Sequence, residues 1–184
     1  IFDANGDGFK DLLIVSGGNE KINGYAEFTD RLYFNDGKGN LTLSNNFPKN
    51  LENKGCVTTA DIDKDGDIDV FIGGVSPSVS FGIAGNSYLL KNDGKGNFTV
   101  DHSFNLESFG IVNTAQFADI DNDTWPDLVL AGDFMPITIL KNNKSKFEIK
   151  ALENTEGWWQ NIQVVDVNND GQLDILGGNW GENN

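Results

Sequence analysis

The sequence predicts an all-β chain, a segment of a β-propeller holding about three and a half four-stranded blades. Two observations predict it. A nine-residue pattern with side-chain oxygens at positions 1, 3, 5 and 9 occurs four times, with first aspartates at Asp3, Asp61, Asp119 and Asp166. The spacings of 58, 58 and 47 residues lie in the range of propeller repeats. Short runs rich in β-branched and aromatic residues, closed by Gly, Asn or Asp, flank each copy as strands do.

The elements follow in chain order. The first copy leads into a strand at 12–15, ended by Gly17 and Gly18, then strands at 31–34 and 41–43 joined by a hairpin, Asn35-Asp36-Gly37-Lys38-Gly39-Asn40. Asp-Gly with a second glycine two residues on is a strong turn signal, because glycine reaches positive φ without steric cost. The second repeat is complete: strands at 57–60, 70–72, 87–90 and 98–100, with the acidic loop between the first two and a second Asp-Gly-Lys-Gly hairpin at 92–97. The third has strands at 114–118, 128–130, 137–140 and 147–149. Its hairpin, Asn142-Asn143-Lys144-Ser145-Lys146, lacks both glycines, and its 2–3 connection shrinks to Phe134-Met135-Pro136. The last repeat offers strands at 162–165 and 175–176. Blades are therefore expected at about 1–54, 55–110, 111–157 and, partial, 158–184. Stacked repeats of this kind share a core that none can bury alone, and four to eight of them close a propeller, so the chain reads as part of one such domain.

The loops point to a hard divalent cation. Calcium takes six to eight oxygens, and alternate carboxylates in a tight loop supply them. The loops are not EF-hands, which need a bidentate Glu at position 12; here that position holds Ile14, Ile72, Leu130 and Gly177. A single Asp/Asn-rich loop would be read as an ordinary turn, but four in one register favour the metal. The net charge of −15 fits the same account, since half of the 28 acids fall at ligand positions. Three to four bound Ca²⁺ would bring the charge to an ordinary value. This acidity argues against nucleic-acid binding, which depends on Lys and Arg. Loops of this type suit the millimolar calcium found outside cells. The lone Cys56 excludes an internal disulfide and reads as a buried strand residue, and no apolar run is long enough for a membrane helix.

The Asp-x-Asp/Asn-x-Asp-Gly-x-x-Asp loop between blade strands one and two resembles the FG-GAP and VCBS repeats of integrin-α-type propellers. The hairpin at 35–40, the run Gly132-Asp133-Phe134-Met135-Pro136-Ile137, the pair Trp158-Trp159 and the motif Gly177-Gly178-Asn179-Trp180-Gly181-Glu182-Asn183 look like bacterial VCBS proteins related to cartilage acidic protein. Those are often long surface or secreted proteins with an ASPIC/UnbV region, which these residues do not include. The resemblance implies a calcium-binding module that is secreted, at the cell surface or on a bacterial outer membrane. It carries over as ligands Asp3, Asn5, Asp7 and Asp11; Asp61, Asp63, Asp65 and Asp69; Asp119, Asp121, Asp123 and Asp127; and Asp166, Asn168, Asp170 and Asp174. Position 7 (Phe9, Asp67, Trp125, Gln172) would give its carbonyl. The third loop departs, with Thr124 where glycine is usual and Pro126 after Trp125.

No catalytic motif occurs, and His102, the single histidine, has no evident partner. The expectation is a module that binds a protein or glycan, or serves as a scaffold. The alternative is the propeller domain of a calcium-dependent carbohydrate-active enzyme. In this strand order the 2–3 and 4–1 loops lie on the face opposite the acidic loops. They span 19–30, 45–55, 75–85 and 153–160 and carry Tyr25, Phe28, Phe81, Trp158 and Trp159, which are the expected partner contacts. Packing of the tryptophans between blades is the competing reading.

Overall fold

The computed structural model describes residues 1–21, 24–144 and 146–181. Ser145 of the third hairpin, Glu182 and Asn183 of the terminal motif, and residues 22 and 23 of the 19–30 loop lie outside the described residues. The chain is an all-β propeller segment. Strands β1 (Leu12–Ile14), β2 (Arg31–Asn35) and β3 (Leu41–Leu43) form one antiparallel sheet. A second contains β4 (Lys54–Ala60), β5 (Asp69–Gly74), β6 (Tyr88–Asn92) and β7 (Phe98–Val100), paired in sequence order as a four-stranded blade requires. A third contains β8 (Ile111–Ala118), β9 (Asp127–Met135), β10 (Thr138–Asn142) and β11 (Phe147–Ala151), joined by β12 (Gly157–Val165) and β13 (Asp174–Asn179). The described residues hold one short 3-10 turn, Ala26–Phe28, and no other helix.

The central strands explain why the blades stack. β5 is buried along its whole length, and successive side chains of a strand point to opposite faces. Val70 and Ile72 accordingly pack toward the first sheet with Phe2, Leu13, Leu32 and Phe98, while Phe71 packs toward the third with Ile62, Leu128 and Leu140. β9 repeats the arrangement: Leu128 and Leu130 face the second sheet, Val129 and Ala131 face Ile162 and Val164 of β12. Each core thus belongs to two neighbours.

One irregularity recurs with the repeat. The first strand of a blade skips a residue in its pairing at Gly55, Asn113 and Gln160, each six residues before a first loop aspartate. Bulges sharpen local twist and re-aim side chains. Here they turn Asn113 and Gln160 toward the carboxylate of Asp133 (2.7 and 3.3 Å).

Two expectations are corrected. Residues 157–160 are not loop: β9 runs on to Met135, so Phe134 and Met135 are strand, and its free edge pairs with Gly157 and Trp158. Trp158 and Trp159 are therefore neighbours in β12, facing opposite ways. Phe28 is buried, not an exposed loop residue; the 3-10 turn seats it inward, and the buried Lys54 Nζ donates to its carbonyl.

Candidate functional site

All four acidic loops share one backbone conformation, held by their own side chains. The position 1 carboxylate accepts the N–H of position 6 in each: Gly8 to Asp3, Gly66 to Asp61, Thr124 to Asp119 and Gly171 to Asp166, at 2.8–3.1 Å. The position 5 carboxylate accepts the N–H of position 7: Phe9 to Asp7, Asp67 to Asp65, Trp125 to Asp123 and Gln172 to Asp170. These bonds draw the oxygens of alternate residues into one concave turn. The turn needs left-handed backbone at position 6, supplied by glycine in three loops and by Thr124, at φ 73°, in the third. A β-branched residue there is strained by about 1–3 kcal/mol, yet its loop keeps the shared hydrogen bonds. Position 4 is left-handed as well (Gly6, Lys64, Asn122, Asn169), a requirement the sequence showed only through its preference for Gly and Asn.

The position 9 aspartate is the anchor. Asp11, Asp69 and Asp127 are buried. Each accepts the N–H of position 2 of its loop, from Ala4, Ile62 and Ile120, and the N–H of an asparagine ending the third strand, from Asn35, Asn92 and Asn142. Asp174 accepts from Val167. The strand-end amides add a second tie. Asn92 Nδ2 donates to Ile68 O of its own loop and to Ala4 O of the preceding loop (3.2 and 2.9 Å). Asn142 Nδ2 does the same to Pro126 O and Ile62 O (3.2 and 2.8 Å). Neighbouring loops are therefore bridged by a strand-end asparagine that hydrogen-bonds to both.

Within this frame, carboxylate oxygens of Asp61, Asp63 and Asp65, and of Asp119, Asp121 and Asp127, lie within 4.8 Å of one another, close enough to hold a metal ion. Asp61 Oδ1 and Asp63 Oδ1 are buried and have no hydrogen-bond partner. Lys91 reaches the other oxygen of Asp63 (3.1 Å), and Lys141 pairs with Asp121, holding that carboxyl below its ordinary range. In the first and fourth loops the position 3 amide turns to the position 5 carboxylate instead: Asn5 to Asp7 at 3.1 Å and Asn168 to Asp170 at 3.0 Å. Burial, with the like charges of Asp63 and Asp65, pushes Asp69 up to about 6 against the pull of two backbone N–H bonds, and burial also raises Asp127 above its ordinary value. The Asp67 side chain does not join this cluster. It lies half-buried against Gly94 of the next hairpin, raised by desolvation and by Asp65 and Asp61.

On the opposite face, four aromatic rings touch in a row. Phe81 meets Phe134 at 6.1 Å between centroids, Phe134 meets Trp158 at 5.3 Å, and Trp158 meets Trp180 at 6.1 Å. They are 78, 55, 39 and 72% exposed, a large apolar surface to leave in water. Phe134 is held outward by a left-handed backbone, φ 58°, where a bulky residue is an outlier. Beside the row runs a groove of about 290 Å³, lined by Asn19, Asn53, Asn113, Asp133 and Phe81. Of the expected contacts, Phe81 and Trp158 belong to this row. Tyr25 is exposed with Lys21 Nζ 5.5 Å above its ring. Phe28 and Trp159 do not belong: Trp159 covers Gly177, where a Cβ would stand 2.6 Å from the ring, and gives its Nε1–H to Thr155 O. Phe134 and Trp180 were missed as contacts, although both stand in runs the sequence singled out.

A family model described as an FG-GAP-like repeat matches residues 3–72 and 119–177. No curated protein matches. Among solved structures, the chain is similar to an Agrocybe aegerita lectin studied for its specific recognition of non-reducing terminal N-acetylglucosamine, with TM-score 0.60 and 19% identity. The likeness covers 95% of this chain and 45% of the lectin chain. At that identity it is a likeness of fold alone.

Proposed function

Because this chain belongs to the FG-GAP-like repeat family, we propose that it is a calcium-binding β-propeller module of a secreted or cell-surface protein, and that it holds a glycan on the face opposite its acidic loops. The observation that carries the calcium reading is the pair of buried, partnerless oxygens, Asp61 Oδ1 and Asp63 Oδ1, in a cluster of three carboxylates. A buried unpaired acceptor costs about 1–3 kcal/mol, more when charged, and a divalent cation removes that cost. Side chains at positions 1, 3, 5 and 9 and the carbonyl at position 7 would hold one ion per loop, three to four in all. The ion supplies charge neutralisation and rigidity, not a chemical step.

The glycan reading is supported by the row Phe81–Phe134–Trp158–Trp180 and by the amides and carboxylate of the adjoining groove. Aromatic faces take the apolar side of a sugar and the polar groups take its hydroxyls. The fold shared with a lectin is consistent with it. The module is read as non-catalytic.

Melting in excess calcium and in EDTA tests the metal. Each independent site adds ~2.7 kcal/mol at a free concentration 100-fold above its dissociation constant, and coincident curves refute the assignment. Capture on immobilised polysaccharides, for native chain and Trp180→Ala, tests the surface. Equal retention of the two removes the ring row from the account.

A further inference from the structure

A second cavity, of about 450 Å³, opens between the first two blades. Its rim comes from the 2–3 loop of the first blade (Gly24, Asp30) and the 4–1 connection (Pro48–Glu52), its back from Tyr88, Leu90 and Val100 of the second blade. No residue lining it lines the groove beside the ring row. Its size is ordinary for a small-molecule site.

Two polar atoms in its lining have no partner: Asp30 Oδ2 and Asn50 Nδ2. Asp30 is 5% exposed. Its other oxygen is fully used, accepting Ser16 N–H (3.1 Å) and pairing with Lys54 Nζ (3.1 Å). Lys54 is used as well. Its side chain is wholly buried, and besides Asp30 it donates to Asn50 O (2.7 Å) and Phe28 O. The cation cannot turn to serve Oδ2 without giving up bonds it already makes. One acceptor and one donor are thus left without a partner in two residues that line the cavity, beside a buried ion pair.

We propose that this cavity binds one neutral pyranose ring, with a hydroxyl donating to Asp30 Oδ2 and an oxygen accepting from Asn50 Nδ2. Three features select that class. The charge of Asp30 is balanced by Lys54 and Glu52 is engaged by Asn86 and Tyr88, while the remaining lining charge, Lys49, is exposed, so an ion at the inner wall would be buried uncompensated. A wholly apolar ligand would leave both atoms orphaned, whereas a sugar hydroxyl both donates and accepts. The remaining wall is apolar, from Ile72, Leu90 and Val100 with the ring of Tyr88, and it suits the C–H face of a pyranose. The Tyr88 hydroxyl is engaged by Glu52 and Asn86, which fixes the ring as a wall. The inference rests on the carbohydrate reading only for its ligand class and places that ligand elsewhere.

The test is saturation-transfer NMR on the calcium-loaded chain with methyl glucoside, methyl galactoside, methyl mannoside and N-acetylglucosamine as probes. At least one sugar should receive signal. Asn50→Leu, which removes the donor and fills space, should cut its affinity at least tenfold while Trp180→Ala leaves it unchanged. Val100→Phe, which narrows the cavity from its apolar side, gives the same readout should Asn50→Leu fail to fold. Transfer to none of the four sugars overturns the cavity site, and so does transfer that Trp180→Ala abolishes and the cavity variants spare. The first result leaves the ring-face reading standing if polysaccharide capture persists; the second strengthens it.

Discussion

Asn92→Ala should cost more than Asn35→Ala, although the two asparagines hold the same place in successive blades. Asn92 is 7% exposed, and its amide serves two backbone carbonyls, one of them Ala4 O across the blade boundary. Ala4 is itself fully buried, so truncation leaves an acceptor that water does not reach. Each such orphan costs about 1–3 kcal/mol, but truncation also removes Asn92 Oδ1, a buried acceptor with no partner, so with Ile68 O included the net loss is roughly 1–3 kcal/mol. The Asn35 side chain makes two exposed bonds, Nδ2 donating to Lys10 O (3.0 Å) and Oδ1 accepting Gly37 N–H (3.1 Å), which water replaces on truncation, together worth about 0.5–1.5 kcal/mol. In a chain of this size 1 kcal/mol moves the melting temperature by about 2–4 °C. Melting in saturating calcium should therefore place Asn92→Ala roughly 2–12 °C below the native chain and Asn35→Ala within about 6 °C of it, with Asn92→Ala the lower of the two. The backbone N–H of residue 92, which Asp69 needs, survives in the variant, so the loop ligands themselves are untouched. Matching losses for the two variants would refute the claim that the cross-blade bond carries the difference.

Two further outcomes can be measured directly. Asp65→Ala should weaken calcium binding much more than Asp67→Ala, because Asp65 sits in the carboxylate cluster while the Asp67 side chain lies against Gly94; equal losses by calorimetric titration would mean the ligand register is wrong. Burial pushes the Cys56 thiol up to about 12 from 9.0, so the native thiolate is scarcer than in the unfolded chain by roughly a thousandfold at pH 8.5. Thiol labelling at that pH should be correspondingly slow until denaturant is added. By the same sign, this residue leaves stability unchanged below pH 9 and lowers it as pH rises from 9 toward 12, where only the unfolded chain ionises freely; a flat melting profile there contradicts the burial.

The sequence made the acidic loops and most strands legible because both are local. Alternate oxygens, Gly at position 6 and Asp-Gly hairpins act within a few residues, and strands 41–43 and 98–100 appear where those signals put them. What stayed hidden depends on partners far along the chain. Nothing near Asn92 or Asn142 announces a bond to a loop in the preceding blade. Trp158 and Trp159 read as loop residues because the edge that pairs them belongs to β9. Phe28 sits in a polar stretch that looks like surface, and a 3-10 turn closing on Lys54 turns it inward. Phe134 and Trp180 were visible as motif residues, but their meeting with Trp158 needs three separate segments in place.

The bridges between neighbouring loops also set an order in time. Ala4 O waits for an amide 88 residues further along, and Ile62 O for one 80 residues further along. At about 5–20 residues per second, a growing chain holds its first acidic loop for roughly 4–18 s before Asn92 can lock it. During that interval the loop has its carboxylates but not its far tie, and only the arrival of the next blade's third strand completes it. Maturation of the acidic-loop face therefore runs one blade behind synthesis, and a ribosome stalled between residues 69 and 92 leaves one loop unlocked and the next without its strand-end N–H.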